Sequence, residues 1–334
     1  MNIEGNSKVL VIGGGSWATA LAKILSQNSN MLLWWMRNED SIEHLKKFSH
    51  NPKYLQSAEF DMTKIQLSSN LGQLIDEADT VIIAIPAAFI HETLKDISEQ
   101  SFKGKLVFSA VKGMIPEYNS IPARYFHTFY NIPYEQIGII CGPCHAEEIA
   151  MERLSYLTVA CPEQKPADLM ASLLSCRYIK TSVSDDLFGT EFSAILKNVY
   201  ALACGISAGL GYGDNFQAVL ISNSIREIEK FIDTAHPIHR DTKTSPYLGD
   251  LLVTAYSKFS RNRLFGFMIG KGYSVKTAQM EMNMIAEGYY AVNSLMKLKE
   301  EFDVEMPILN CVYQILYNNR SAKTEIKALT EKLD

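Results

Sequence analysis

Apolar and polar positions along this chain fall into two regimes. Up to about residue 184, short apolar runs alternate with amphipathic stretches. The runs at 9–12, 31–35, 80–85, 105–109, 136–140, 155–160 and 178–181 predict strands, and the 3.6-residue patterns at 71–77 and 87–97 predict helices between them. Strands alternating with helices predict an α/β fold with a parallel, doubly wound sheet. Beyond Ser184 the strand signal nearly vanishes and long helical patterns take over, which predicts a C-terminal all-α domain. One of these patterns, 216–232, follows Asp214 and Asn215, either of which could cap it. The change of pattern near 185–190 divides the chain into domains of residues 1–187 and 188–334. The longest polar, turn-rich stretch, 233–250, is expected as a surface loop.

The first predicted strand runs directly into Gly13-Gly14-Gly15-Ser16-Trp17-Ala18, a G-x-G-x-x-G/A turn opening a helix. Gly13 permits the tight turn, Gly15 lets the backbone approach a pyrophosphate, and Ala18 keeps the helix close to the sheet. In that context the turn predicts a Rossmann dinucleotide-binding domain. The bland alternative is a glycine-rich turn with no ligand, and Trp17 either packs the turn or touches the cofactor. A second strand that ended in an acid would bind the ribose 2′-hydroxyl of NAD. Here it ends Trp35-Met36-Arg37-Asn38, and Arg37 suits a 2′-phosphate, which favours NADP(H). Glu39 keeps NAD(H) open, and Arg37 could equally be a solvated charge.

Far downstream, Lys197 and Asn198 interrupt the otherwise apolar stretch 191–210. A desolvated lysine has a depressed pKa and can exchange a proton near neutral pH. The alternative is a lysine whose stem lies along the core while its ammonium reaches solvent. Small residues on neighbouring turns (Ser193, Ala194, Ala201, Cys204) would let a backbone or ligand come close. Asp250 and Thr254 share a helical face in another apolar segment, where Asp250 could orient a substrate hydroxyl or Lys197, or cap the helix. Lys112-Gly113 follows the strand at 105–109. Ser260-Arg261-Asn262-Arg263 offers donors suited to a phosphate, or forms a surface basic cluster.

Composition removes whole classes. A net charge of −5 argues against nucleic acid or an anionic membrane surface as a partner. The strongest apolar run, 80–90, is too short to span a bilayer and contains Pro86, and the opening MNIEGNSK has no signal-peptide character. Six unevenly spaced cysteines read as reduced thiols, so the expectation is a cytoplasmic protein without membrane insertion. Cys141-Gly142-Pro143-Cys144 has the spacing of a thiol–disulfide centre, but it lacks a preceding tryptophan. A metal is disfavoured there, since His145 gives only a third ligand, and at His236 and His239 in the polar loop. The expected reading of the CxxC is a turn of small residues presenting backbone N–H groups, with no metal in the protein.

Taken in order, these segments resemble bacterial NAD(P)-dependent glycerol-3-phosphate dehydrogenase over nearly the whole chain. The resemblance is carried by GGGSWATALA at 13–22, NPKYL at 51–55, AIP at 84–86, VKG at 111–113 and GPCHAEE at 142–148. It continues through LKNVYALACGI at 196–206, GYGDN at 211–215, LGDLLVT at 248–254, SRNRLFG at 260–266, AEGY at 286–289 and VEMPI at 304–308. It implies reversible reduction of dihydroxyacetone phosphate to sn-glycerol 3-phosphate for glycerophospholipid synthesis, usually by a homodimer. Another hydroxy acid as substrate, or a non-catalytic NADP(H) sensor, stand as alternatives. By matched position, Lys197 looks like the general acid/base, with Lys112 and Asp250 lining the substrate. Gly142 and Cys144 would also touch substrate, while Ser260, Arg261 and Asn262 would hold its phosphate. Gly13, Gly15, Ser16, Trp17, Arg37, Tyr54, Lys112, Ala146, Arg261, Ile285 and Glu287 look like cofactor neighbours. The chain departs from the family at Cys141 and Cys144, where Ser or Thr is usual, at His145, where Phe is usual, and at Ser222-Asn223-Ser224, where a Thr-Arg-Gly stretch is usual.

Overall fold

The computed structural model describes residues 7–29, 31–282 and 286–334. The chain divides into two compact units: Met1–Val111 with Pro122–Leu187, and Lys112–Ile121 with Phe188–Asp334. The segment 112–121, expected in the first domain, therefore packs with the second. Its Met114 and Ile121 are buried in that unit's core, which holds it there.

The first unit is built on one eight-stranded sheet of order β3-β2-β1-β4-β5-β6-β7-β8. Its strands are β1 (Val9–Ile12), β2 (Leu32–Trp35), β3 (Ile65–Ser68), β4 (Thr80–Ile83), β5 (Leu106–Ser109), β6 (Ile137–Cys141), β7 (Ser155–Ala160) and β8 (Ile179–Ser184). Neighbours run parallel except β6 and β7, which are antiparallel. The strands β1, β2, β4, β5 and β6 are buried at every position, as a sheet covered on both faces requires, which is why they read as continuous apolar runs. By contrast β3, absent from the sequence expectation, is an edge strand whose Gln66, Leu67 and Ser68 stay partly exposed. The unit's helices are α1 (Ser16–Asn28), α2 (Glu39–Phe48), α3 (Leu71–Glu77), α4 (Ile90–Leu94), α5 (Pro122–Tyr130), α6 (Ala146–Ala150) and α7 (Gln164–Leu174). The helix expected over 87–97 splits into a 3-10 turn, Ala87–Phe89, and the short α4, and Ser98 then caps a further 3-10 turn, Glu99–Phe102.

The second unit is helical, with no named strand among its described residues: α8 (Leu187–Gly209), α9 (Asp214–Ala235), α10 (Asp250–Tyr256), α11 (Arg261–Gly270), α12 (Val275–Glu281), α13 (Glu287–Glu301), α14 (Pro307–Leu316) and α15 (Ala322–Thr330). By length and composition α8 could cross a membrane, yet 94% of its apolar window is buried in protein, as in a core helix. Gly213, not Asp214 or Asn215, occupies the N-cap of α9; Asp214 lies in the first turn, where its negative charge interacts favourably with the positive end of the helix dipole.

Two devices lock these helices. First, α8 and α11 meet backbone to backbone through Gly205, Gly209, Gly266 and Gly270. A Cβ on Gly205 would overlap the Arg263 carbonyl, one on Gly209 that of Phe267, one on Gly266 that of Leu202, and one on Gly270 that of Ile206. Second, α14 begins at Met306-Pro307 with no capping side chain of its own, and Glu227 of α9 does the work from a distance. Its carboxylate accepts from Ile308 N at 2.5 Å and Leu309 N at 3.4 Å, and from the Tyr200 hydroxyl at 3.2 Å. Burial raises the Glu227 carboxyl to about 7 despite these donors.

Two expectations follow. Gly266→Ala forces a methyl into the Leu202 carbonyl, and should lower unfolding free energy by about 1–3 kcal/mol or more in urea titration; an unchanged midpoint would refute the close crossing. A carboxyl raised on folding makes the native state bind the extra proton, so its stability contribution falls as pH rises from the unfolded value of 4.5 to about 7. Glu227→Gln should remove that slope, gaining on the parent by up to roughly 3 kcal/mol at pH 8 relative to pH 4. Parallel pH profiles for variant and parent would show that Glu227 does not titrate this way.

Candidate active site

In the first unit, the predicted dinucleotide turn joins β1 to α1 at the carboxyl edge of the sheet. Gly13 has φ +139°, which an L side chain rarely adopts, and a Cβ there would overlap the Ala84 carbonyl oxygen beyond β4. Gly15 is the N-cap of α1, and nothing lies within 4 Å of where its Cβ would be, so a large group can approach the backbone there. An open, glycine-lined helix N-terminus fits a dinucleotide pyrophosphate. Ser16 is buried in the first turn and Trp17 half-buried beside it.

At the end of β2, Arg37 is exposed and Asn38 caps α2. The rival acid, Glu39, accepts a hydrogen bond from Ser69 Oγ at 3.0 Å. Tyr54 is half-buried in the loop after α2. The β6–α6 turn carries Gly142 at φ +112°, with buried Cys144 and Ala146 after it. Cys141 Sγ points at the Thr158 carbonyl oxygen, 3.6 Å away inside the sheet. All six cysteines are free thiols, and among the described residues no group of three His, Cys, Asp or Glu side chains could hold a metal.

The second unit gathers the other candidates around α8. The Lys197 ammonium donates to Asp250 Oδ1, and both side chains are almost wholly buried, at 4% and 1% exposure. Lys112 approaches the other oxygen of the same carboxylate, its Nζ 3.9 Å from Asp250 Oδ2. Asn198, next to Lys197 in sequence, donates Nδ2 to the Lys112 carbonyl oxygen at 2.8 Å and pins that backbone. A π-helical turn, Ser245–Gly249, leads into α10 and puts Asp250 at its first helical position rather than at the cap, which is Gly249. Thr254, one turn on, bonds back to the Asp250 carbonyl at 2.7 Å and so supports the helix rather than the carboxylate.

Burial pulls the Lys197 ammonium down from the usual lysine value to about 7; Asp250 opposes the fall and Lys112 adds to it. Two lysines share one carboxylate, leaving the cluster net positive when both are charged. That suits it to meet developing negative charge on an oxygen and to give that oxygen a proton.

Ser260 is the N-cap of α11, its Oγ accepting from Arg263 N at 3.3 Å. Arg261 is exposed in the first turn, and Asn262 is buried, its Oδ1 accepting from Gly288 N at 2.9 Å. Gly288 packs against Asn198 and Asn262, where a Cβ would find the Asn198 carbonyl oxygen at 2.7 Å, and Glu287 precedes it at the start of α13. Ile285 lies outside the described residues. Thus Gly13, Gly15, Ser16, Trp17, Arg37, Tyr54, Gly142, Cys144 and Ala146 belong to the sheet unit. Lys112, Lys197, Asp250, Ser260, Arg261, Asn262 and Glu287 belong to the helical one. Asn198, Asn51 and Thr19 lie within the matched motifs but have no role assigned from the sequence, and Ser69 lies outside those motifs. Only Asn198 carried a signal of its own, a polar side chain inside an apolar helix.

Comparison with known proteins bears on both units. Residues 8–167 match the family described as NAD-dependent glycerol-3-phosphate dehydrogenase N-terminus, and residues 186–327 its C-terminus. The glycerol-3-phosphate dehydrogenase [NAD(P)+] of Staphylococcus carnosus is 34% identical over 327 residues, 97% of either chain. That of Staphylococcus aureus strain JH9 is 33% identical over 330 residues, 98% of either chain. In three dimensions the chain is similar to the crystal structure of glycerol-3-phosphate dehydrogenase from Coxiella burnetii, with a TM-score of 0.90 at 24% identity, covering 98% of this chain and 99% of that one. D-mandelate dehydrogenase with NADH shares the fold more distantly, with a TM-score of 0.59 at 14% identity, covering 93% of this chain and 98% of that one.

Proposed function

The chain belongs to the NAD-dependent glycerol-3-phosphate dehydrogenase family, and from that premise we propose that Lys197 is the proton donor of a reduction centred on Asp250 and Lys112. The reaction is the reversible, NAD(P)H-dependent reduction of dihydroxyacetone phosphate to sn-glycerol 3-phosphate. The buried Lys197–Asp250 pair carries the reading. When bound, the reduced nicotinamide supplies the hydride that adds to C2 of the ketone. Lys197 gives its proton to the C2 oxygen as negative charge builds there, and takes it back in the reverse direction. Asp250 holds the ammonium in place, and Lys112 adds positive charge beside the same oxygen. Ser260, Arg261 and Asn262, at the start of α11, are proposed to hold the substrate phosphate, where a helix N-terminus and a guanidinium both favour an anion. Gly142 and Cys144 complete the substrate contacts in this reading.

Gly13, Gly15, Ser16 and Trp17 are proposed to cradle the pyrophosphate, with Tyr54, Ala146, Ile285 and Glu287 as further cofactor neighbours. NADP(H) is favoured because Arg37 is exposed where a 2′-phosphate would be met and Glu39 is engaged by Ser69; NAD(H) stays open. The product feeds glycerophospholipid synthesis in this reading. Free thiols throughout support a cytoplasmic setting, and a homodimer is the family expectation. The alternatives, another hydroxy acid or a silent sensor, are not favoured given full-length relatives named for this reaction.

Following NADPH absorbance with dihydroxyacetone phosphate tests the assignment. Lys197→Ala should cut kcat at least ~100-fold while leaving NADPH affinity nearly unchanged; equal turnover would remove Lys197 from the mechanism. Reduction needs the ammonium, so its rate falls as pH rises through the Lys197 value near 7, whereas oxidation rises. Asp250 holds that value up, so Asp250→Asn should move the falling limb of reduction to lower pH. A limb that stays put would mean another group sets it.

A further inference from the structure

The loop after α2 contains a side chain that no step above uses. Asn51 is 1% exposed and makes four hydrogen bonds. Its Nδ2 donates to the Gly14 carbonyl at 3.1 Å and to Thr19 Oγ1 at 2.9 Å; its Oδ1 accepts from Lys53 N at 3.0 Å and Tyr54 N at 3.1 Å. Thr19 Oγ1 in turn donates to the Gly15 carbonyl at 2.8 Å. Behind them the Trp34 indole donates to the Gly13 carbonyl at 2.7 Å. Three successive carbonyls of the glycine turn are therefore tied down by side chains.

Peptide planarity gives this a consequence. The carbonyl of one residue and the N–H of the next share a rigid plane and point in opposite directions. Fixing the Gly13, Gly14 and Gly15 carbonyls thus fixes the N–H groups of Gly14, Gly15 and Ser16, which turn away from the anchors. Aligned N–H groups at a helix N-terminus form an anion-binding concavity. Without the side-chain anchors the Gly13 and Gly14 peptide planes would be freer to rotate, since glycine has the most backbone freedom to lose, whereas the Gly15 carbonyl also accepts from the Thr19 backbone N–H at 2.9 Å. We infer that Asn51 is a positioning residue for cofactor binding, which with Thr19 as its relay preorganises the glycine-turn N–H groups for the pyrophosphate and ties the Tyr54 loop to the same point. This rests on the reading that the glycine turn holds the dinucleotide.

The test uses the full chain and titrates NADPH, and separately adenosine 2′-monophosphate, against intrinsic fluorescence. Asn51→Asp keeps the acceptor for Lys53 and Tyr54 but loses both donors. Thr19→Val removes the relay hydroxyl without adding charge, and Thr19→Ser restores it. Asn51→Asp and Thr19→Val should each weaken NADPH roughly tenfold or more, as loss of hydrogen bonds shaping an anion site implies. Thr19→Ser should bind like the parent. Adenosine 2′-monophosphate, which lacks the pyrophosphate, should bind all four proteins alike, and kcat at saturating NADPH should stay within a few-fold. Equal loss of both nucleotides in the variants, or unchanged NADPH affinity in Thr19→Val, would overturn the inference. Gly15→Val separates the two readings, because its side chain enters open space yet blocks close approach. If it leaves NADPH binding intact, the glycine-turn reading itself fails. If it abolishes binding while Asn51→Asp and Thr19→Val do not, only the role of Asn51 falls.

Discussion

The second unit is organised around one ammonium buried beside one carboxylate. Desolvating Lys197 costs free energy that only a well-placed partner offsets, and Asp250 is that partner. The partner has to be held from another element, and α10 supplies it through the π-helical turn that sets Asp250 at its first position. The same requirement accounts for Asn198. It cannot leave its amide unbonded within α8, so it takes the Lys112 carbonyl and brings a second positive charge to the carboxylate. One buried charge thus recruits an aspartate, a second lysine and an amide.

Much of this was legible from the pattern of residues, and the reasons are particular. The central strands of the sheet are buried on both faces and announce themselves as apolar runs, whereas β3 at the edge mixes Gln66 and Ser68 into four residues and carries no such signal. Lys197 stood out because a charge in an apolar helix has few explanations. Asp250 was harder to read, since an acid before a helical run is as often a cap, and only its distance from α8 in space distinguishes the two. The crossing of α8 and α11 was half visible. Small residues were noted around Lys197, but the backbone contact runs through Gly205 and Gly209, whose partners Gly266 and Gly270 lie some sixty residues away in sequence. Nothing in local periodicity reports a pairing of that kind. Segment 112–121 misled for a related reason: it follows a strand of the sheet, and only burial of Met114 and Ile121 reveals which core it joins.

Both units solve the same problem, the fate of backbone polar groups at element ends, with side chains from elsewhere. Glu227 reaches from α9 to cap α14, Asn51 reaches from the loop after α2 to the glycine turn, and Asn262 of α11 receives the Gly288 N–H at the start of α13. Each case joins elements distant in sequence through a buried hydrogen bond whose loss would strand a polar group. Such bonds fix orientation more than they add stability, because the unfolded chain bonds the same groups to water. They therefore appear where backbone geometry is most constrained: at the glycine turn and at the start of the helix beside Asn198.

The division of the chain also bears on preorganisation. The polypeptide leaves the sheet unit after β5 at Val111, spends residues 112–121 in the helical unit, and returns at Pro122 to begin α5. Lys112 is thereby built into the unit that carries Lys197 and Asp250, although it follows a strand of the other. The mutual geometry of the two ammonium groups and the carboxylate is then set inside one packed core. It does not have to be assembled each time a cofactor arrives. Electrostatic stabilisation of a transition state is greatest when the charges are already in place, since no reorganisation remains at the moment of reaction. A ten-residue excursion of the main chain is a low-cost way to secure that, and it explains why a lysine three residues beyond a sheet strand is anchored by Asn198 of the helical unit to which it belongs.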